Sequence, residues 1–465
     1  MSKTPAHRKL LGAALVLGSV GAVVAQEEDA RNALPGLQAT LDFAQGLVVS
    51  DNLENIANPS GTSAVLRTDL AFNIRSETKP SLLALSFGGQ YEHGYLADDG
   101  GNVSEFRDPF LTFGYTRANA STALNISGSS RQTQIGRRTI TEEFDSDDLV
   151  TDIGTRTDTR LGVSLETGLG GPWGIETAFN FSARDFAGGA SDSLVDRETT
   201  TFSFGLRLEP TRTTTWRLSA VTRKEVRDND AETEQVRNSL GASLAYAVSP
   251  TTGITASVAA VRIETEEFFL IRRFTVVEEG LAYALGVQHE LQRGTVAASL
   301  SSDIVTNGRR TTYQVSRTLP IRGGEISANI GATKTDGNAA QALYGFNIQR
   351  DLKNGRYSAS LTQTGVTESD GDEFVNTNLR MRYGFDINPI SRLDFGLNIA
   401  QSDARTDGQN DQEQGRFSVT YSRDLTQDWA FDAGYEHRYS ETNSANRRTS
   451  NRVFATINRT FNIRP

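Results

Sequence analysis

The chain of 465 residues contains no cysteine. Without thiols it has no disulfide framework, no thiolate zinc site and no attachment point for c-type haem. Apolar material is also scarce: hydrophobic residues make up 37%, and the mean hydropathy is −0.40. No stretch after the N-terminus reaches the ~18 consecutive apolar residues of a membrane-spanning helix. This composition disfavours several soluble domains with large dry cores and is typical of a wall with one apolar side.

The chain also contains few histidines, four in all. His7 lies near the N-terminus, and His93, His289 and His437 lie on separate segments. None has a second histidine or a carboxylate at the spacing of a metal site or an acid–base pair, so the sequence favours no enzyme, metal site or cofactor. Acidic residues outnumber Lys and Arg by 57 to 47, which makes the chain a poor nucleic-acid binder.

The N-terminus has the three parts of a secretory signal. Arg8 and Lys9 precede the apolar stretch Leu10–Val24, and Ala25 completes a small-residue cleavage site. The stretch is too short and wrongly flanked for a spanning anchor. We therefore predict a signal peptide over 1–25, a short periplasmic segment over 26–36 and one β-domain over 37–465. Loss of the signal's three basic residues would take the net charge from −10 to −13.

From Leu37 onward the sequence alternates with a period of two. In the segment 173–184, Ile175 and Phe179 fall on one face, and Glu176 falls on the other. Successive side chains of a strand point to opposite faces, so each such segment has one apolar and one polar face. The pattern predicts an all-β chain.

The order of the connections is more specific than the strands. Short links such as Gly168–Pro172 and Leu291–Gly294 alternate with longer polar links such as Asp51–Thr62, Gly136–Thr155 and Glu264–Phe274. Bacterial outer-membrane barrels have short periplasmic turns and long extracellular loops. The order therefore predicts a transmembrane, antiparallel, up-and-down β-barrel of about 22 strands, with a range of about 20–22.

Pro109 is the misfit in this pattern. A proline inside a strand ladder lacks the hydrogen-bond donor that the ladder uses. We therefore predict that Pro109 lies at the outer rim, where its strand begins.

Aromatic residues mark one boundary of the predicted membrane span. The three tryptophans each follow a short link within a few residues, and two phenylalanines reach the same level from descending strands. Amphipathic rings prefer the membrane interface. The predicted interface girdle comprises Trp173, Trp216, Trp429, Phe385 and Phe461.

The polar faces of the strands carry charges of both signs. Mixed charge around a lumen implies water inside and sets the preference for ions or solutes, while cross-lumen salt bridges can brace the wall. We expect both roles. The predicted lumen-lining residues are Arg67, Asp69, Arg75, Glu176, Arg184, Arg217, Arg223, Arg380, Arg382, Asp432, Glu436 and Arg438.

One region is similar to a known family. The segment Gly46–Leu96, with the sequence GLVVSDNLENIANPSGTSAVLRTDLAFNIRSETKPSLLALSFGGQYEHGYL, has a strand ending in Ser50-Asp51-Asn52, a polar loop and a long alternating pair. It resembles the opening of outer-membrane β-barrel porins that are found with exopolysaccharide systems. The resemblance implies an outer-membrane barrel, suggests a link to polysaccharide export and carries over no catalytic residues.

Two functions remain open at this stage. The first is a porin-like channel with a polar lining that passes solutes, or a secreted polysaccharide, across the bacterial outer membrane. The second is a structural or surface-interaction barrel with a closed lumen and acidic outer loops, such as Glu142–Asp148. An energised receptor is disfavoured, because only Gln26–Gly36 lie between the signal and the first strand. A soluble secreted adhesin is a poorer, third reading.

The expected partners follow from this location. They are outer-membrane lipid and lipopolysaccharide, the barrel-assembly machinery, and small solutes or polysaccharide. Nucleic acid is not among them. The acidic loop pieces have the oxygen ligands that Ca²⁺ prefers, but they match no EF-hand spacing, and solvated outer loops are the preferred interpretation.

Overall fold

The structure is a computed structural model that describes residues 36–97, 101–137, 146–149, 153–188, 194–229, 231–269, 272–368, 371–406, 410–442 and 447–463. The predicted signal peptide and nearly all of the segment 26–36 lie outside these residues. Within them the chain forms 22 strands. Their bounds are β1 Gly36–Ser50, β2 Ser63–Glu77, β3 Ser81–Leu96, β4 Gly101–Ala118, β5 Thr122–Gln134, β6 Thr155–Thr167, β7 Trp173–Ala187, β8 Arg197–Thr211, β9 Thr214–Arg227, β10 Glu234–Ser249, β11 Thr252–Phe269, β12 Arg272–Glu290, β13 Thr295–Val305, β14 Gly308–Ile321, β15 Gly324–Thr335, β16 Gln341–Leu352, β17 Gly355–Thr367, β18 Glu373–Asn388, β19 Ser391–Ala404, β20 Gln412–Asp424, β21 Trp429–Thr442 and β22 Arg448–Ile463.

The strands close into one barrel. Each strand pairs antiparallel with its neighbours in the chain, and β1 pairs with β22 from Ala39↔Ile463 to Ser50↔Arg452. Closure satisfies the backbone groups that an open sheet edge would expose, which a lipid environment requires. The predicted fold class and strand number are confirmed.

Two short 3-10 turns, Ile135–Arg137 and Ser146–Leu149, lie between β5 and β6. No helix in the described part of the chain has both the length and the apolar character to cross a membrane.

The outer face of the barrel is apolar. In β2, Leu66 and Leu70 are exposed, whereas Arg67 and Asp69 alternate with them on the opposite, inner face. Large side chains such as Ile330, 70% exposed, continue this apolar face around the wall. A closed barrel with an apolar exterior and a polar interior is the architecture of bacterial outer-membrane proteins, and the chain is an outer-membrane β-barrel.

Links after odd-numbered strands lie at one end of the barrel, here called the loop end, and links after even-numbered strands lie at the other, the turn end. The turn-end links match the predicted short turns, and Gly168–Pro172 and Leu291–Gly294 have the predicted bounds. The predicted long link Glu264–Phe274 is wrong. β11 extends to Phe269 and β12 begins at Arg272, because this stretch continues the strand pattern with aromatic and β-branched residues.

The predicted position of Pro109 is also wrong. Pro109 lies inside β4, which begins at Gly101. The register with β3 shifts between Gly88 and Gln90, so that Asp108 and Pro109 form a β-bulge opposite Gly89. A bulge leaves its extra residues outside the ladder, which is why the missing donor of proline is tolerated there.

Candidate channel lining and loop-end constriction

All twelve predicted lumen residues occupy inward positions. They have the opposite parity to the outward-facing side chains of their strands, as Glu436 has beside the exposed Tyr435 in β21. The set lies on five strands: Arg67, Asp69 and Arg75 on β2, Glu176 and Arg184 on β7, Arg217 and Arg223 on β9, Arg380 and Arg382 on β18, and Asp432, Glu436 and Arg438 on β21.

Glu436 is the centre of a charge cluster on the inner wall. Its side chain is 2% exposed, and Arg438 Nε lies 2.5 Å from its Oε1. Arg452 Nη2 lies 3.3 Å from Oε2, and Arg416 contacts the same oxygen. A buried carboxylate that accepts from three guanidinium groups joins β20, β21 and β22 on their inner face.

A second cluster lies near the turn end. Arg217 Nη2 is 2.9 Å from Glu176 Oε1, and Arg207 Nε is 3.8 Å from the same atom. Arg207 also contacts Glu209. These pairs tie β7, β8 and β9 together.

Several of the other predicted residues have partners on their own strand. Arg67 Nε pairs with Asp69 at 2.9 Å, Arg75 Nη2 with Glu77 at 3.0 Å and Arg223 Nη2 with Glu225 at 2.7 Å, each two residues along its strand. Arg184 and Arg156 meet Asp148, which comes from the link after β5. Asp432 accepts a hydrogen bond from Asn458 Nδ2 at 2.6 Å.

The link between β1 and β2 folds into the lumen. Leu53 is buried with Val48, Val65 and Leu96, which are inward residues at the loop end of β1, β2 and β3. Packing of Leu53 in this cluster places the next residue, Glu54, over the inner wall. The link is therefore held inside the barrel by hydrophobic burial.

Glu54 connects this link to the link after β5. Its Oε1 lies 2.6 Å from Arg137 Nη2 and 3.1 Å from Arg107 Nη1. Arg137 also pairs with the buried Glu92 at 2.8 Å. Burial lowers the pKa of Arg137, but the charges of Glu54 and Glu92 outweigh burial and hold its pKa above the ordinary value.

The link after β5 also reaches a distant part of the wall. Leu149, at the end of the second 3-10 turn, packs against Ala400 of β19. Gln414 Nε2 of β20 donates to the Leu149 carbonyl at 2.6 Å. Since β19 and β20 are not neighbours of β5 or β6 in the barrel, this is a transverse contact across the lumen.

A second transverse contact joins β9 to the end of β17. Arg227 Nη1 lies 3.0 Å from Glu368 Oε2, and both side chains are 8% exposed. The β13–β14 tip supports it, because Thr306 accepts from Gln235 at 3.0 Å and Asn307 donates to the Gly371 carbonyl. Together the two transverse contacts form what we call the loop-end constriction.

Sequence reasoning missed most of this constriction. The inward position of Arg227 could have been predicted, because Arg227 continues the alternation of Arg217 and Arg223 along β9. Glu54 and Asp148 lie in links, where no periodicity indicates which way a side chain points.

The predicted girdle residues occupy outward positions at the turn end. Trp173 and Trp429 are the first residues of β7 and β21, and Trp216 is the third of β9. Phe385 and Phe461 lie near the ends of β18 and β22. The outward-facing Arg459 lies over the Trp429 and Phe461 rings at 5.3 and 4.5 Å and pairs with Asp428 at 3.3 Å.

The histidines are on the other face from the charged clusters. His93, His289 and His437 hold outward positions and contact Ser104, Thr252 and Asn451. Among the described residues no three histidine, aspartate or glutamate side chains come together as a metal site.

Comparisons with known proteins agree on the fold alone. No family model and no curated protein sequence matches the chain. Among solved structures, the siderophore receptor PirA from Pseudomonas aeruginosa is similar with a TM-score of 0.53 and 10% identity, over 92% of this chain and 81% of that one. The ferric-catecholate import receptor Fiu from E. coli K12 is similar with a TM-score of 0.58 and 9% identity, over 92% and 82%. At these identities the likeness establishes a shared barrel architecture.

Proposed function

We propose that this barrel is a channel that passes small polar solutes across the outer membrane, with its narrowest part at the loop-end constriction. The observation that carries the proposal is the inner wall, where charged side chains of both signs lie on β2, β7, β9, β18 and β21. Such a wall favours a hydrated lumen, because removing charged side chains from water is costly even when they are paired.

The structural neighbours support a transport function. Of the two structures named above, one is a siderophore receptor and the other is a ferric-catecholate import receptor. Their likeness to this chain extends over most of the barrel. The likeness supports passage of a solute but does not identify that solute.

A closed barrel that acts as a surface platform is the competing function. The transverse contacts favour it, since Arg227–Glu368 and Leu149–Ala400 both bridge the mouth. The two functions differ in one measurable property, the passage of ions.

Conductance in planar bilayers tests the proposal. We expect refolded, heat-modifiable protein to give ohmic single-channel currents. Glu368→Arg places a like charge beside Arg227 and should raise the conductance by loosening the constriction, and adding Arg227→Glu should restore the original value. The matched control is Glu264→Arg, which breaks the exposed, outward pair with Arg262 and should leave conductance unchanged. Well-folded protein that gives no current, in wild type and in E368R alike, would exclude the channel.

The finer hypothesis is export of a secreted polysaccharide. Its support is the resemblance of Gly46–Leu96 to porins found with exopolysaccharide systems. Deletion of the gene should trap polymer in the periplasm, measured as periplasmic against secreted sugar. Unchanged secretion would exclude polysaccharide export but would not contradict the proposed channel.

The apolar exterior supports the proposed partners. We expect outer-membrane lipid along the exposed Leu, Ile and Phe side chains, the girdle aromatics at the turn-end interface and lipopolysaccharide around the loop end. Insertion would use the barrel-assembly machinery, as proposed for the class.

A further inference from the structure

The inner wall contains a cavity apart from the constriction. It has a volume of about 410 Å³ and lies on six consecutive strands, β22 and β1 to β5. This volume falls within the ~300–1,000 Å³ that is usual for small-molecule sites. We call it the wall niche.

Small residues and the β4 bulge open the niche. Ala44 and Ala71 line it on β1 and β2, and Gly89 lines it opposite the bulge at Asp108 and Pro109. Gly89 alternates with the exposed Phe87 and Tyr91, and a Cβ on it would lie 2.3 Å from Cζ of the exposed Phe106, so its missing side chain makes room on the outer face. The bulge also gives Asp108 a φ of 48°, a conformation that is uncommon for a residue with a side chain. The departure from regular strand geometry is therefore concentrated at the niche.

Three carboxylates line the niche: Asp42, Asp69 and Asp108. Asp42 and Asp69 are diagonal neighbours on β1 and β2, since Asp42 is opposite Ala71 and Asp69 is opposite Ala44. Side chains in this relation on one face are within reach of each other. Two like charges so placed repel. Arg67 already pairs with Asp69, and a cationic ligand would neutralise the negative charge that remains.

The partners of these carboxylates leave acceptor capacity unused. Asp42 accepts from Asn73 and Thr460, both at 2.7 Å, and these are neutral donors. Asp108 accepts from the Gln134 backbone N–H at 3.2 Å. Each carboxylate oxygen can accept more than one hydrogen bond.

Gln90 adds an independent sign that a donor is missing. It lies directly opposite Asp69 on β3 and lines the niche. Its Oε1 is buried and has no hydrogen-bond partner within the described part of the chain. A buried acceptor without a donor is unfavourable, and a ligand N–H would satisfy it.

The cations near the niche leave its charge negative. Arg131 lies over the Phe110 ring at 5.3 Å, and Arg67 pairs with Asp69. Arg459 points outward to Asp428. The charge of Arg137 also acts on Asp108, but Arg137 is paired with Glu54 and Glu92. Because Arg131 covers the Phe110 ring, that ring is not free to stack on a sugar.

We infer that the wall niche binds small solutes that carry a primary ammonium group. The ammonium donates to Asp69, Asp108 and the orphaned Gln90 amide oxygen, and the rest of the solute remains in the lumen. The inference rests on the proposed channel for the route by which a solute arrives, but binding itself does not depend on flow.

Isothermal titration calorimetry of the detergent-folded barrel tests this without any conductance measurement. The probes are 1,4-diaminobutane and 1,4-butanediol, which differ in having ammonium or hydroxyl ends. We expect the diamine to bind at one equivalent and the diol to bind at least about tenfold more weakly, as expected for loss of charge-assisted hydrogen bonds.

Variants test whether the diamine binds at the niche or at any carboxylate of the inner wall. Asp69→Asn and Asp108→Asn should each weaken diamine binding by about tenfold or more. Asp394→Asn is the matched control, because Arg392 Nε holds Asp394 at 2.8 Å in the same two-residue pairing that Arg67 makes with Asp69. It should leave binding unchanged.

Three results would overturn the inference: equal binding of diol and diamine, binding of glucose in place of the diamine, or equal losses in D69N and D394N. Absence of conductance with normal diamine binding would instead count against the channel alone.

Discussion

Glu436 illustrates how single residues set the energetics of the lumen. Its carboxylate is almost fully buried, and Arg416, Arg438 and Arg452 all contact it. Buried ions are tolerated when they are paired and become costly when one partner is removed. The inward parity of Glu436 and Arg438 was predictable from alternation, whereas the convergence of three arginines on one carboxylate was not, because it depends on the registers of β20, β21 and β22.

Replacing Glu436 should therefore destabilise the barrel. Glu436→Gln keeps the shape but leaves three guanidinium groups without their anion, and we expect a loss of about 3–5 kcal/mol in the free energy of unfolding. Urea unfolding in micelles, followed by loss of heat-modifiable mobility, measures it. Glu325→Gln changes an exposed residue of β15 and should stay within about 0.5 kcal/mol. Equal effects of the two variants would show that the cluster does not stabilise the fold.

At the scale of elements, the turns follow from local chemistry. The β6–β7 link begins at Gly168 and contains Gly170, with φ of 71° and 72°. The sequence places this link correctly, since glycine is the residue that adopts positive φ without cost. What the sequence leaves open is how closely a neighbouring chain approaches each glycine.

The two glycines give a matched pair of substitutions. A Cβ on Gly168 would lie 2.1 Å from the Trp173 carbonyl oxygen, whereas a Cβ on Gly170 meets nothing within 4 Å. Gly170→Ala should cost only the conformational term of about 1 kcal/mol, and Gly168→Ala should cost at least twice as much because the backbone must also move. Unfolding midpoints in the same micelles compare them. A larger loss for Gly170→Ala would contradict the turn geometry.

Two strand elements departed from expectation for tertiary reasons. β4 continues through Pro109 because a bulge opposite Gly89 absorbs the proline. β11 and β12 extend through a stretch expected to be a loop, and β12 pairs with β13 only from Tyr283 to Glu290. In both cases pairing with a neighbouring strand outweighed the local loop and proline signals. The sequence of one segment alone does not show that pairing.

At the scale of the whole molecule, the barrel depends on the seam between β1 and β22. Val49 is paired with Val453 there, and both face outward. The chain has no native cysteine, so an introduced pair reports on the seam without background.

We expect Val49→Cys with Val453→Cys to form a disulfide on mild oxidation of the folded protein. Side chains that face each other across a strand pair have Cβ atoms about 4.5–5.5 Å apart, near the reach of a disulfide. Faster migration of the boiled, unreduced protein measures the closed loop. Val49→Cys with Phe454→Cys is the control, because Phe454 is one residue out of register and faces inward, and it should not cross-link. Cross-linking of the control but not of the test pair would disprove the register.

The sequence by itself determined the class of wall. Alternation assigns each side chain to one of two faces, and link composition sets where strands reverse, because both are local properties of the backbone. It thus predicted the barrel, its 22 strands and the inward side of residues such as Arg67 and Glu436. The tertiary structure alone decided which of those residues meet. Arg227 and Glu368, Leu149 and Ala400, and the strands that enclose the wall niche are far apart in the chain, and only closure of the sheet and the inward folding of its links bring them together.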